Sequence, residues 1–280
     1  MRRRSLRAAW GAVKLWVPLG AWLTFVLAPY VWMFITSIKP PTELYTKTVR
    51  YWPGQPTFEG YRLLMETTPF LIYMRNSGVV AISTCAVALV VAMAAAYCFS
   101  RIPFRGKGVL LFGFLVTQLF PSVLLVLPLF LIMRSLGILN TPPALILAHS
   151  TFAVPFSTWM LTGFFNAIPR ELDEAATIDG CNRLQIFRYV LLPLSAPGVA
   201  AALTYIFIYS WNEFIYALTF TADLRARTLP VGLQTFMGEF IIRWDLLTAG
   251  GVITALPIVF FFMLVQRQLI AGLTAGAVKG

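Results

Sequence analysis

The chain has 280 residues, of which 59% are apolar, 15% aromatic and only 12% charged, with a mean hydropathy of +0.77. A soluble domain carries about 25% charged residues, so a water-soluble globule is excluded unless the apolar surplus sits in a bilayer. Lys and Arg number 22 against 11 Asp and Glu, a net charge of +11; in so apolar a chain this reads as basic residues holding loops on the cytoplasmic side, not as nucleic-acid binding.

At about 20 residues per helix, the chain has room for roughly six spans and no large extramembrane domain. Residues 1–15 form a basic cytoplasmic N-terminus, with Arg2, Arg3, Arg4, Arg7 and Lys14 ahead of an apolar run at 16–38. A cleavable leader has a core of about 7–15 residues and a small-residue cleavage site. This run is longer, and Pro29, Tyr30 and Trp32 stand where small residues belong, so it reads as a retained first span. Further apolar stretches at 76–100, 109–133, 144–168, 196–220 and 248–266 complete an all-α integral membrane domain over 16–268.

Counted from an inside N-terminus, the inner segments hold 13 basic and 4 acidic residues, and the outer loops 9 and 6. The bias is modest overall and strongest before the first span, which predicts an N-in, C-in topology. Pro18, Pro29, Pro121, Pro128, Pro155, Pro197 and Pro257 interrupt spans, as membrane helices tolerate where neighbours or cavity water satisfy the freed backbone.

Cys85 and Cys98 are 13 residues apart on one apolar stretch, about 20 Å along a helix and too far for a disulfide. No Cys/His cluster suggests a metal. His149, Gln118 and Asn166 read as satisfied structural groups rather than ligands. Tyr205, Trp211, Trp16 and Trp32 read as interface anchors or packing. Glu213, with Asn212, is an intramembrane candidate for the translocation path. Three readings stay open for its carboxylate: lining a path through the membrane, pairing with a partner subunit, or lying wet near the outer interface.

The inner loop 169–195 is long and helix-forming. Residues 170–176 predict a short helix with acidic residues in its first turn, where the macrodipole favours them. Gly180 ends it. A second helix over 183–192 has an apolar face of Leu184, Phe187, Val190 and Leu191, and Pro193 stops it. Two helices lying on the inner surface either dock a partner or lie solvated, and the residues alone do not choose.

The spacing Glu174-Ala175-Ala176, Gly180, Val190, Leu192-Pro193 resembles the EAA loop of ATP-binding-cassette importer permeases, with valine in place of the pattern's isoleucine. Residues 266–280 look like the tail of the carbohydrate (maltose-type) permeases. Trp211-Asn212-Glu213-Phe214 and the string 101–107 are similar to further stretches of that family. The resemblance covers essentially the whole chain and matches the smaller of the two permeases in such systems.

It implies the type I importer permease fold and the import of a sugar, with α-glucosides such as maltose or trehalose leading and glycerol phosphate sharing the motifs. The implied partners are a larger permease, a dimer of ATP-binding-cassette ATPases, an extracytoplasmic sugar-binding protein and the lipid bilayer. The implied location is a prokaryotic cytoplasmic (inner) membrane. No phosphate-cradling Gly-x4-Gly-Lys string is present. ATP and Mg therefore fall to the partner ATPase, and this chain is expected to hold no cofactor, metal or catalytic group. Glu174, Ala175, Ala176, Asp179, Gly180 and Pro193 would couple to that ATPase, with Glu174 as a helix cap or a charge partner. Gln266, Arg267, Gly272, Leu273, Thr274 and Gly276 of the tail would reach it too, unless the tail simply frays. Gly232, Gln234, Phe236 and Gly238 would lie in a flexible loop that touches the binding protein, unless it is an ordinary connector. The competing reading is a secondary transporter or channel working on an ion gradient; a membrane enzyme is a more distant third.

Overall fold

The computed structural model describes residues 2–238 and 240–277, with side chains at 14–238 and 240–270. In chain order the helices are α1 (Arg2–Ser37), α2 (Pro41–Leu44), α3 (Glu59–Thr67), α4 (Phe70–Arg101), α5 (Lys107–Thr117), α6 (Val126–Ser135) and α7 (Pro142–Asn166). There follow α8 (Glu171–Ile178), α9 (Arg183–Ile186), α10 (Leu192–Leu194), α11 (Ala196–Asn212), α12 (Ile215–Phe220), α13 (Leu229–Gln234) and α14 (Trp244–Ala277). Among the described residues the only β pairing is an isolated bridge between Met237 and Ile242.

Among the described residues, four helices are long and apolar enough to cross a bilayer: Lys14–Ser37, Phe70–Arg101, Pro142–Asn166 and Trp244–Ile270. Two bent pairs, Lys107–Thr117 with Ser122–Ser135 and Arg183–Leu194 with Ala196–Asn212, bring the number to as many as six. The stretch at 109–133 is therefore two helices meeting at 98°. Pro121 causes the break, since it lacks an N–H and pushes the residue before it out of helical geometry. The stretch at 196–220 also breaks, after Asn212. Its 17-residue α11 rises only about 25 Å, short of a hydrocarbon core of about 30 Å, and α12 continues it.

The chain forms two units, Met1–Thr68 with Thr235–Ala255, and Pro69–Gln234 with Leu256–Gly280. In the first, the polar loop after α1 is pinned by its own charges. Lys39 is 6% exposed, donates to the Arg50 carbonyl at 2.6 Å and stands 4.3 Å over the Trp32 ring. The Glu43 carboxylate accepts from the Gly54 N–H. Tyr45 donates to the Ile242 carbonyl, and burial together with Asp245 holds its hydroxyl above the ordinary phenol range. Arg243 makes two bonds to the Asp245 carboxylate, which strengthen its hold on its proton.

In the second unit α4 packs along α7 and α11. Ala88, Ala92 and Ala96 recur at helical spacing on α4 and are fully buried, as are Ala148 on α7 and Ala202 on α11. Small residues let membrane helices approach closely, which supplies the dispersion contacts that hold them where water cannot. At Gly198 an added Cβ would sit 2.4 Å from the Phe164 ring, so this crossing needs glycine.

Candidate functional site

The segment between α7 and α11 is built locally. Three acidic residues, Glu171, Asp173 and Glu174, occupy the first turn of α8. Gly180, at φ +85°, ends it. Its N–H bonds to the Thr177 carbonyl, and the Cys181 N–H reaches back to Ala176, the reciprocal pair of a Schellman cap. Asn182 and Gln185 then cap α9 reciprocally, at 3.0 and 2.8 Å.

Pro193 does not stop this helix. Residues 187–191 widen into a π turn in which the Leu192 N–H reaches the Phe187 carbonyl, and the helix runs on through Leu194. The wide turn accommodates a proline that would clash with the carbonyl four residues back in an α ladder. The chain then bends by 80° at Ser195 into α11.

The loop has a buried root and an open face. At the root, Arg101 Nε lies 2.5 Å from Asp173 Oδ2, with side-chain exposures of 8% and 18%. The same guanidinium donates to the carbonyls of Phe165 and Ile168 at 2.9 and 3.1 Å. Arg170 donates to the Ser100 carbonyl, and the Ser100 hydroxyl to Asn166. The end of α4 thus grips both the end of α7 and the start of α8. Sequence reasoning missed this clamp: Arg101 counted as a topology charge and Asp173 as a dipole charge. An arginine at the very end of an apolar run was the signal.

Glu174, Ala175, Asp179 and Gly180 are exposed on the open face, and Ala176 is turned inward. The Glu174 carboxylate makes no cap contact among the described hydrogen bonds. Leu172, Ile178 and Leu184 stand open beside these residues, Ile178 at 87%. The open face thus sets exposed apolar groups around small residues on a rigid base.

The other expected residues fall elsewhere. Asn212 is exposed and donates to the Ile208 carbonyl. Glu213 turns inward, 8% exposed, and its two oxygens accept from the N–H groups of Tyr216 and Ala217 to cap α12. Its Oε2 also lies 3.2 Å from His149 Nε2, while Nδ1 of that ring meets the Ser210 hydroxyl at 2.8 Å. Gln118 donates to the Phe152 carbonyl, so all three expected structural polar groups have partners.

The stretch 231–238 holds the end of α13, a turn and the bridge at Met237. Gly232 is buried in α13, where a Cβ would fall 2.2 Å from the Tyr73 ring, so glycine serves close packing there. Gln234 and Gly238 are exposed and Phe236 is buried. Gln266 and Arg267 belong to α14, whose backbone continues through Gly272, Leu273, Thr274 and Gly276; contacts of residues 271–280 lie outside the described residues.

This architecture has known counterparts. The chain is 38% identical over 258 residues to the trehalose transport system permease protein SugB of Mycobacterium tuberculosis, covering 91% of this chain and 93% of that one. It is 37% identical over 254 residues to the sulfoquinovosyl glycerol transport system permease protein SmoH of Agrobacterium fabrum, covering 91% and 89%. Its fold is similar to a chain of a bacterial ABC transporter involved in the import of the acidic polysaccharide alginate, with a TM-score of 0.79, 23% identity and coverage of 93% and 96%. The family pattern of binding-protein-dependent transport system inner membrane components matches residues 86–274. The chain belongs to that family, as a multi-pass transport permease.

Proposed function

We propose that the chain is the smaller permease of an ATP-driven importer for an oligosaccharide such as an α-glucoside. It forms half of a translocation path with a larger permease and lies N-in, C-in in a prokaryotic inner membrane. An extracytoplasmic sugar-binding protein delivers the substrate to the other face. Permease relatives named for trehalose and sulfoquinovosyl glycerol support a saccharide.

The observation that carries the reading is the 169–195 loop, open on one face and clamped at its root. An ATPase dimer that closes on ATP pulls on the face around Ala175 and Gly180. The clamp passes that pull to α4 and α7, and the bend at Ser195 passes it to α11. ATP and Mg bind the partner ATPase, so this chain supplies leverage and a path, with no catalytic group. Glu174 is free to meet a basic group of the ATPase.

The test is Ala175→Arg in the complete importer, reconstituted in proteoliposomes. The variant is expected to insert and to pair with the larger permease, yet to lose the ATPase on purification and to lose uptake. ATP-driven uptake at the normal rate would refute the coupling role. Uptake that persists without ATP and collapses with an uncoupler would make the protein a gradient-driven carrier.

A further inference from the structure

Two of the spans are broken, and the breaks meet. α5 and the segment Ser122–Ser135 turn through 98° around Pro121. α11 ends at Asn212, and Glu213 takes an extended backbone, ψ 128°, before α12 begins. The Tyr216 hydroxyl, in the first turn of α12, donates to the Ser122 carbonyl at 2.9 Å, directly past Pro121. Both breaks are also fastened to α7. The Gln118 amide donates to the Phe152 carbonyl at 3.1 Å, and His149 meets Glu213 at 3.2 Å and Ser210 at 2.8 Å. The two Glu213 oxygens already accept from the N–H groups of Tyr216 and Ala217, so the proton shared with His149 is the ring's. Nε2 donates to the carboxylate, and Nδ1 accepts from the Ser210 hydroxyl.

The apolar packing divides along the same helices. α6, α12, α13 and the stretch of α7 from Ala144 to Phe152 share one cluster of buried side chains. Leu161 and Phe165 of α7 belong to another, with Ala92 and Ala96 of α4 and Ala202 of α11. The two clusters have no residue in common. Between them, Thr84 on α4 and Ser157 and Thr158 on α7 are fully buried, their hydroxyls without a partner among the described residues. Pro155 interrupts α7 in the same interval. Interlocked side chains make a cluster move as a body, and a proline in the gap between two clusters is where a helix bends. α6 and α12 therefore sit in one body, and each joins the rest of its span through a break.

We propose that His149 and Tyr216 are positioning residues for the transport movement, locking the two breaks together so that α6 and α12 tilt as one against α5 and α11; this rests on the ATP-driven reading above. The pull that reaches α11 arrives at Asn212, where a short extended link absorbs a change of direction in a few backbone angles. Left to itself, that link would let α11 turn and leave α12 behind. Tyr216 prevents this, because its N–H is held by Glu213 and its hydroxyl holds Ser122. His149 seats the carboxylate on α7. At membrane depth no water replaces these bonds once broken, so they hold through the movement.

Spin-label distances in the complete importer, held in nanodiscs, read each break by itself. Cys98 and Cys181 are replaced by serine, and the buried Cys85 stays. One label pair, at Val109→Cys and Leu131→Cys, spans the first break, and another, at Ala201→Cys and Leu218→Cys, spans the second. In this parent complex both distances are expected to shift on trapping with ATP and vanadate, each as a single population. Tyr216→Phe removes one hydroxyl. The second pair should then shift as before, while the first splits, its unmoved population rising about fivefold. His149→Leu should split the first pair in the same way. His149→Gln, whose amide both donates and accepts, should restore the single population. A parent complex in which nucleotide moves neither pair overturns the ATP-driven reading and the coupling with it. A parent that moves both pairs, with Tyr216→Phe moving both as single populations too, overturns the coupling alone. His149→Leu that lowers the melting temperature while both pairs still shift together also overturns it, by making these bonds structural only.

Discussion

Replacing Arg101 with leucine should loosen the 169–195 loop without unfolding the bundle. The substitution strands Asp173, whose side chain is 18% exposed, and removes the donor from the carbonyls of Phe165 and Ile168. Breaking a buried pair from one side costs about 3–5 kcal/mol, and each bond from a charged donor about 1.5–3 kcal/mol. These do not add, and water reaches the partly open Asp173, so the low end applies, about 3 kcal/mol. At about 1.4 kcal/mol per decade, local opening becomes roughly a hundredfold more frequent. Hydrogen exchange of the complex in nanodiscs reads this directly: amides of 171–182 should exchange about a hundredfold faster, while those in the middle of α4 and α7 hold. Asp173→Asn should give a smaller effect in the same segment. The exchanged pair Arg101→Asp with Asp173→Arg should not recover, since aspartate cannot donate to the two carbonyls. Exchange within about threefold of wild type in Arg101→Leu would refute the clamp.

Gly180→Ala puts a Cβ on a backbone at φ +85° and should cost about 1–2 kcal/mol at the end of α8, read as weaker retention of the ATPase on purification with normal insertion. Glu213→Ala should lower the melting temperature of the detergent-solubilised complex, because α12 loses its cap and His149 a partner, by about 2 kcal/mol in stability. Glu213→Gln keeps an acceptor and should lose less; a drop in uptake with unchanged stability in either variant would give Glu213 a role in the path. Gly232→Ala drives a Cβ into the Tyr73 ring and should cost about 1–3 kcal/mol, with partial recovery in the double variant Gly232→Ala/Tyr73→Ala. An unaltered melting temperature in Gly232→Ala would mean that α13 is not seated on α4.

The spans and the loop were legible where they rest on local physics. Long apolar runs announce helices, and Gly180 announced the end of α8 by the conformation only glycine takes freely. The reciprocal cap of Asn182 and Gln185 was equally local and was overlooked. What stayed hidden depends on partners far away in sequence. The break after Asn212 has no proline or glycine at the bend; it is held by Glu213 and by a histidine 64 residues earlier. The grip of Arg101 on Asp173 joins residues 72 positions apart, and a count of charges by loop has no means of pairing them. Gly232 misled in another way, because glycine marks either freedom or crowding, and only the Tyr73 ring decides which.

The π turn at 187–191 makes the loop sensitive to how many residues it contains as well as to which they are. It takes up one residue more than an α turn of the same height. Were the same stretch wound as α-helix, everything before it would be rotated by about 100° relative to α11, and Leu184 would look away from the side it now faces. A single deletion between Phe187 and Leu191 would instead tighten the turn and leave both ends aimed as they are. Drift in chain length is absorbed at this one place, whereas an added or lost residue in α8 would swing Ala175 off the surface it presents.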